Sequence, residues 1–177
     1  MGDDRLIGQG GVDRVEESAE ADLVLSDTHL VGRGTDRLAS IEQAVLVAGD
    51  AGHRLDAREF SHAVTLLGGD GRDVLLGGAS GDHLDGGRGN DVVAGGGGRD
   101  RLNGRSGNDT ILGGDGDDTL LGGDGRDLLL GGRGDDLLRG HGGLDTLVGG
   151  PGTDALYGSD REIDEVFVLE ASWLSEL

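Results

Sequence analysis

Residues 68–157 repeat a nine-residue unit ten times without a gap, and that period constrains the fold more than any other feature of the chain. In one copy, Gly122-Gly123-Asp124-Gly125-Arg126-Asp127-Leu128-Leu129-Leu130, six loop-forming residues precede three strand-forming ones. The first place is Gly in every copy. The sixth is always Asp: Asp73, Asp82, Asp91, Asp100, Asp109, Asp118, Asp127, Asp136, Asp145 and Asp154. The eighth is always aliphatic, from Leu75 through Val93 and Ile111 to Leu156. A tight turn that passes through positive φ is open to Gly and costly for residues with a Cβ, so the chain is expected to reverse direction once per repeat. In the triplet that follows, side chains alternate, which sends the eighth place inward and the seventh and ninth outward. Two repeats complete one coil, and successive coils stack as two parallel sheets with strands about 4.8 Å apart.

One inward aliphatic per strand makes a thin core, and the turns need a further source of cohesion. Stacking gathers Asp73, Asp91, Asp109, Asp127 and Asp145 into one column and Asp82, Asp100, Asp118, Asp136 and Asp154 into another. Unpaired, each column would repel itself. A hard cation resolves the conflict, because Ca²⁺ accepts roughly six to eight oxygens at flexible geometry and the turns offer backbone carbonyls beside each carboxylate. The expected carbonyl ligands are those of Gly69, Asp70, Gly71, Gly87, Arg88, Gly89, Gly96, Gly97, Gly98, Gly114, Asp115, Gly116, Gly123, Asp124, Gly125, Gly132, Arg133 and Gly134. One ion between each turn and the next in its column gives about eight in all. Mg²⁺ is less suited, since it demands near-ideal octahedra and keeps its waters.

The repeats resemble the calcium-binding RTX nonapeptide, Gly-Gly-x-Gly-x-Asp-x-aliphatic-x. That resemblance implies a right-handed parallel β-roll with calcium in its turns, and export from bacteria by type I secretion with an uncleaved C-terminal signal. The departures are local. Arg105 and His141 replace the second Gly and Ser80 the fourth, so the turns beginning at Gly104, Gly140 and Gly77 are expected to bind less tightly.

Composition agrees with a solenoid rather than an ordinary globule: 39 Gly and 2% aromatic residues give too little bulk for a conventional core. The formal charge of -20, with every basic residue an Arg, disfavours bulk binding to nucleic acid. High charge with low hydrophobicity predicts a loose chain until calcium neutralises it. There is no Cys, no apolar run of membrane-spanning length, and no signal-peptide pattern at Met1-Gly2-Asp3-Asp4-Arg5.

We divide one continuous all-β domain into degenerate solenoid coils (1–67), the ten repeats (68–157) and a C-terminal cap (158–177). The first part carries the rhythm in worn form. Asp4 pairs with Leu6, Asp13 with Val15 in residues 8–16, and Asp36 with Leu38 in residues 31–39. In residues 48–56, His53 stands in the acid's place before Leu55, so that turn should lack a proper calcium site. Further strands are expected at residues 22–25, 41–47 and 64–67. Met1 falls in mid-repeat, which reads as an excised piece of a larger chain. After Tyr157 the repeat fails; residues 165–170 are expected to form a capping strand and residues 171–177 a turn or short helix. A secretion signal in this tail is compatible with that role.

No catalytic set emerges. His29, His53, His62, His83 and His141 share no metal-binding spacing, no His-Glu-x-x-His or Gly-x-Ser-x-Gly occurs, and glycine runs such as 95–98 lack the Lys of a phosphate loop. Asn108-Asp109-Thr110 spells a glycosylation sequon that we read as coincidence. One sheet, however, turns an apolar outer face to its surroundings, carried by Val74, Leu76, Val92, Leu112, Leu128, Leu130 and Val148. Such a face fits a second protomer, a neighbouring domain or a terminal segment. The resulting expectation is a calcium-loaded module of a secreted or cell-surface bacterial protein with a structural or adhesive role; the alternative is the C-terminal folding and secretion module of a secreted hydrolase or epimerase. Ice binding would need outward ranks of Thr, and only Thr110, Thr119 and Thr146 hold the seventh place.

Overall fold

The computed structural model describes residues 5–7, 11–32, 35–158 and 165–167, and within them every regular element is a strand. Seven strands precede the repeats: β1 (Arg5–Ile7), β2 (Arg14–Ser18), β3 (Leu23–Ser26), β4 (His29–Val31), β5 (Thr35–Ala39), β6 (Gln43–Val47) and β7 (Arg54–Glu59). The repeats supply β8 (Val64–Asp70), β9 (Val74–Leu76), β10 (His83–Arg88), β11 (Val92–Gly97), β12 (Arg101–Ser106) and β13 (Thr110–Asp115). They continue with β14 (Thr119–Asp124), β15 (Leu128–Arg133), β16 (Leu137–Gly142), β17 (Thr146–Val148) and β18 (Ala155–Tyr157), and β19 (Glu165–Phe167) follows.

Odd and even strands of the repeats part into two sheets. The first runs β1-β5-β4-β3-β7-β9-β11-β13-β15-β17-β19 and the second β18-β16-β14-β12-β10-β8-β6-β2. Within the repeats all pairings are parallel at a step of 18 residues: Leu75 lies opposite Val93, then Ile111, Leu129 and Leu147, and in the other sheet Leu66 opposite Leu84, Leu102, Leu120 and Leu138. These eighth-place side chains are fully buried between the sheets, as their alternation requires. The first-place Gly and sixth-place Asp face inward with them. This is the parallel β-solenoid that the nine-residue period implies. On the outer face, Val74, Leu76, Val92, Leu112, Leu128, Leu130 and Val148 are half-buried by their neighbours along the ladder.

The N-terminal coils depart from the expected continuous solenoid in two ways. First, β3 and β4 pair antiparallel, as do β4 and β5, so residues 23–39 fold back on themselves instead of completing a coil. The cause is local: only Asp27-Thr28 separates β3 from β4, which permits a hairpin and forbids a parallel crossover. Ser26 Oγ accepts the His29 N–H at 3.1 Å and closes that turn, while Leu25 and Leu30 meet in the core. Second, β2 is displaced by two places from the repeat the sequence suggests. Val15 lies opposite Ala44, and Ala44 opposite Val64, which occupies the column of Asp82. Val15 therefore holds a sixth-place position, not an eighth, and Asp13 falls outside the acid column. Leu6 does lie opposite Leu38, and Leu55 lies opposite Leu75 with His53 in the sixth place.

At the other end, β19 pairs parallel with β17 and sets Val166 opposite Leu147. It supplies a strand within the expected capping segment; residues 168–177 lie outside the described residues.

Candidate metal centre

Most turns of the repeats are shaped by glycine at the second and fourth places. Gly69 and Gly71, Gly96 and Gly98, Gly114 and Gly116, and Gly132 and Gly134 all take φ between 101° and 127° or up to 138°, where a Cβ is disfavoured. The second-place carbonyls of Gly69, Gly96, Gly114 and Gly132 point at the second-place glycine of the next turn in their column. The fourth-place carbonyls of Gly71, Gly89, Gly98, Gly116, Gly125 and Gly134 likewise point at its fourth-place glycine. The next coil approaches so closely that an added Cβ would meet these oxygens. Third-place carbonyls behave differently. Those of Arg88, Asp115, Asp124 and Arg133 accept fourth-place N–H groups of the preceding coil at 2.7–2.8 Å, which leaves each one lone pair. Asp70 and Gly97 end β8 and β11. Gly87 and Gly123 face non-glycine second-place residues, Arg105 and His141, in the next turn.

The sixth-place carboxylates form the expected columns. Asp91 Oδ1 accepts the N–H of Asp73, Asp109 Oδ1 that of Asp91, Asp127 Oδ1 that of Asp109, and Asp145 Oδ1 that of Asp127, at 2.8–2.9 Å. In the second column Asp100, Asp118, Asp136 and Asp154 accept in the same way from Asp82, Asp100, Asp118 and Asp136, at 2.7–3.0 Å. One oxygen of each carboxylate is thereby satisfied by protein. The other is not: Oδ2 of Asp73, Asp91, Asp100, Asp109, Asp118, Asp127 and Asp136 is buried with no hydrogen-bond partner. Buried polar atoms are nearly always paired, so a row of orphaned carboxylate oxygens calls for a cation. No three acidic or histidine side chains converge among the described residues, so the remaining oxygens of any site must come from the backbone.

The sequence profile described as the RTX calcium-binding nonapeptide repeat matches the chain in four copies, over residues 2–16, 65–93, 94–129 and 121–156. The chain belongs to this RTX family. No curated protein matches it.

The RTX turns reveal an oxygen that the sequence pattern does not announce. Beside the Oδ2 of Asp73, Asp100, Asp109, Asp118, Asp127 and Asp136 lies the first-place carbonyl of the following coil, from Gly86, Gly113, Gly122, Gly131, Gly140 and Gly149 respectively. The carboxylate oxygen crowds the space a Cβ would fill on every first-place glycine, which accounts for Gly in all ten copies. The invariant first glycine was the available signal; which atoms needed the room was not.

Electrostatics follow from this packing. Burial, with the other carboxylates of the column adding to it, pushes Asp91 and Asp136 up to about 6 and Asp100 and Asp127 up to about 7. Burial also raises Asp73, Asp82, Asp109 and Asp118. Without a metal Asp91, Asp100, Asp127 and Asp136 hold protons near neutrality, and a divalent cation offers a stronger counter-charge.

The turn of residues 77–82 is the exception. Gly78 N–H donates to Asp82 Oδ2 at 2.7 Å, while Val64 N–H donates to Oδ1 at 2.9 Å, so both oxygens are satisfied. Neither Gly78 nor Ser80 takes positive φ, and Ser80 Oγ bonds instead to the Ser61 carbonyl at 2.8 Å. This turn, where Ser80 replaces the fourth-place Gly, has abandoned the RTX geometry. Arg105 and His141 keep it, at φ 72° and 70°, by accepting left-handed backbone. The Arg105 guanidinium is anchored by Nε bonds of 2.6 and 2.7 Å to the Asp85 carboxylate. At the head of the other column, His53 N–H donates to Asp73 Oδ1 at 2.7 Å, and its ring lies within 3.7 Å of Glu20 and Asp22 carboxylates.

Proposed function

We infer that this calcium-binding β-roll is a folding switch for a secreted or cell-surface bacterial protein, loose at the low calcium inside a cell and folded outside it. The observation that carries the reading is the row of orphaned Oδ2 atoms beside aligned turn carbonyls. Asp73, Asp91, Asp100, Asp109, Asp118, Asp127, Asp136 and Asp145 supply the charged ligands, with Asp154 closing its column, and about seven ions, one fewer than the repeat count alone suggests, fill the stack at affinities of about 10⁻⁴–10⁻³ M, the range of extracellular modules. The backbone ligands are the first-, second- and fourth-place carbonyls, with third-place carbonyls contributing a spare lone pair. Asp82 is left out, because its oxygens are already bonded.

The role is structural or adhesive, since the repeats occupy the chain from residue 68 to 157 and the candidate chemistry is all cation ligation. The second reading, a C-terminal folding and secretion module of a secreted hydrolase or epimerase, rests on the same switch. Sequence upstream of this one separates them: a catalytic motif favours the enzyme and further repeats favour the adhesin. Val74, Leu76, Val92, Leu112, Leu128, Leu130 and Val148 offer a surface for self-association or for a neighbouring domain.

A calcium titration followed by circular dichroism, with mass from light scattering in chelator and at millimolar calcium, tests the switch. Cooperative gain of β-signal supports it, and a chain fully folded in chelator would overturn it. A doubled mass assigns the apolar face to self-association; a monomer at both calcium levels removes that part of the reading.

A further inference from the structure

Beside the acid columns runs a second pair of ladders, built from fifth-place residues. Asn108 N–H donates to Asn90 Oδ1, and Arg126 N–H to Asn108 Oδ1, both at 2.8 Å. In the other column Asp135 N–H donates to Asp117 Oδ1 at 3.1 Å, and Thr153 N–H to Asp135 Oδ1 at 2.8 Å. The polarity is opposite to that of the sixth-place ladder. There, the N–H of an earlier coil reaches the side chain of a later one; here, the N–H of a later coil reaches the side chain of an earlier one. At one coil junction Asp91 N–H therefore bonds forward to Asp109 while Asn108 N–H bonds back to Asn90. Adjacent residues in the two turns are locked reciprocally, as in a helix capping box.

This clamp is present at only some junctions. Where the earlier fifth-place residue is Arg72, Gly81, Arg99 or Arg126, no side-chain carbonyl or carboxylate is available for it. Arg99 instead sends its guanidinium to Asp117 Oδ2 at 2.7 Å. The clamped junctions join the turns beginning at Gly86, Gly104 and Gly122 in one column, and Gly113, Gly131 and Gly149 in the other.

We propose that Asn90, Asn108, Asp117 and Asp135 are positioning residues for calcium: their side-chain oxygens hold successive turns in register, so that the sixth-place carboxylate and the facing carbonyls are aligned before an ion arrives. The inference rests on the calcium reading above and adds to it that the turns differ in readiness. Clamped junctions need the cation only to neutralise the acid column; unclamped ones need it also to fix register. An exposed side chain thereby sets the calcium requirement of a buried site, without touching the ion. The first ions are expected to load between the clamped turns.

The test compares Asn90→Ala/Asn108→Ala with Asn90→Asp/Asn108→Asp, and with Arg72→Ala as a control outside the ladder. Calcium titrations are read by circular dichroism, with amide exchange of Asn108 and Arg126 measured at saturating calcium. The Ala pair should need about fivefold more calcium and expose both amides, because two hydrogen bonds are lost. The Asp pair, which keeps the acceptor oxygen, should restore protection and most of the calcium response, and the control should match the parent. If the Ala pair fails to fold, the single Asn90→Ala change gives the same comparison at one bond. An unchanged midpoint in the Ala variants, or equal impairment in the Ala and Asp pairs, overturns the proposal. A parent that takes up no calcium sinks the calcium reading instead, and amide exchange then decides on the clamp alone: unprotected Arg126 in the parent overturns it.

Discussion

The coils before residue 68 and the repeats after it fill the same space, the gap between two parallel sheets, with different chemistry. Each of the ten repeats places an Asp and an aliphatic inward. In the even-numbered sheet before them, the acid's position is held by Val15, Ala44 and Val64, and all three are buried. Leu23, Leu25, Leu30, Leu38, Leu46, Leu55 and Phe60 enlarge the apolar cluster there. The boundary runs through Asp82, whose carboxylate sits at the end of its column but is satisfied by Val64 and Gly78. One half of the molecule coheres by removing apolar surface from water, which needs no ligand. The other half keeps buried carboxylates whose charge a cation or a proton must balance. An acid column can therefore be ended by an aliphatic side chain plus one self-closed turn, with no change of strand geometry.

The largest effect that follows is a split response to chelator. Amides of β6 and β8 should stay protected from exchange while those of β13 to β17 lose protection; simultaneous loss along the whole chain would erase the distinction. Next in size are core truncations. Leu46→Ala should cost about 2–5 kcal/mol with or without calcium. Asp127→Asn, which keeps the shape and removes the charge, should chiefly raise the calcium concentration needed to fold, as measured by paired melts in chelator and in calcium.

Acidification sharpens the contrast further. The metal-free folded state holds Asp91, Asp100, Asp127 and Asp136 at about 6 to 7, above their ordinary value of 3.8. A raised folded-state value means the fold binds protons more tightly than the unfolded chain. Its contribution is present below about pH 4 and is lost as the pH rises through 6 to 7. In chelator, lowering the pH from 7.5 towards 4 should thus restore β-signal in the repeats, whereas in calcium the same change should raise the calcium midpoint. A flat pH response in chelator would show that the columns are not what destabilises the metal-free repeats.

Smaller still is the difference between two chemically identical changes. Asp82→Asn should leave the number of bound ions unaltered, while Asp100→Asn should lower it, by equilibrium dialysis. His141→Gly should stabilise by about 1 kcal/mol, because it relieves left-handed backbone at a residue with a Cβ. A melting temperature that does not rise would mean that the His141 side chain contributes contacts of its own.

The repeats were legible because three positions recur for reasons of backbone and charge that hold at every coil. Strand direction, the step of 18 residues and both acid columns come directly from that recurrence. The N-terminal coils were less so. Asp13 and Val15 have the right spacing, and the RTX profile matches residues 2–16, yet β2 pairs two places out. Once an acid place accepts Val or Ala, the inward positions of a strand become interchangeable, and spacing no longer picks the register. The hairpin at Asp27-Thr28 was hidden for a related reason: apolar strands carry no mark of direction, which only the connection between them sets. In the turns, the sequence identified which residues are special. It could not say that third-place carbonyls accept the fourth-place N–H groups of the preceding coil while first-place ones lie beside the carboxylates, since that depends on how neighbouring coils meet.

The constant step in both sheets fixes how such a chain can change length. Removing residues 104–121 would join Asn103 to Gly122, and each later strand would return to its own sheet beside an equivalent partner. Removing a single repeat would transfer every later strand to the opposite sheet, so that the aliphatic rows of the outer face continued into positions now held by Arg139 and Tyr157. Gain or loss by whole coils preserves both surfaces, and gain or loss by half a coil exchanges them.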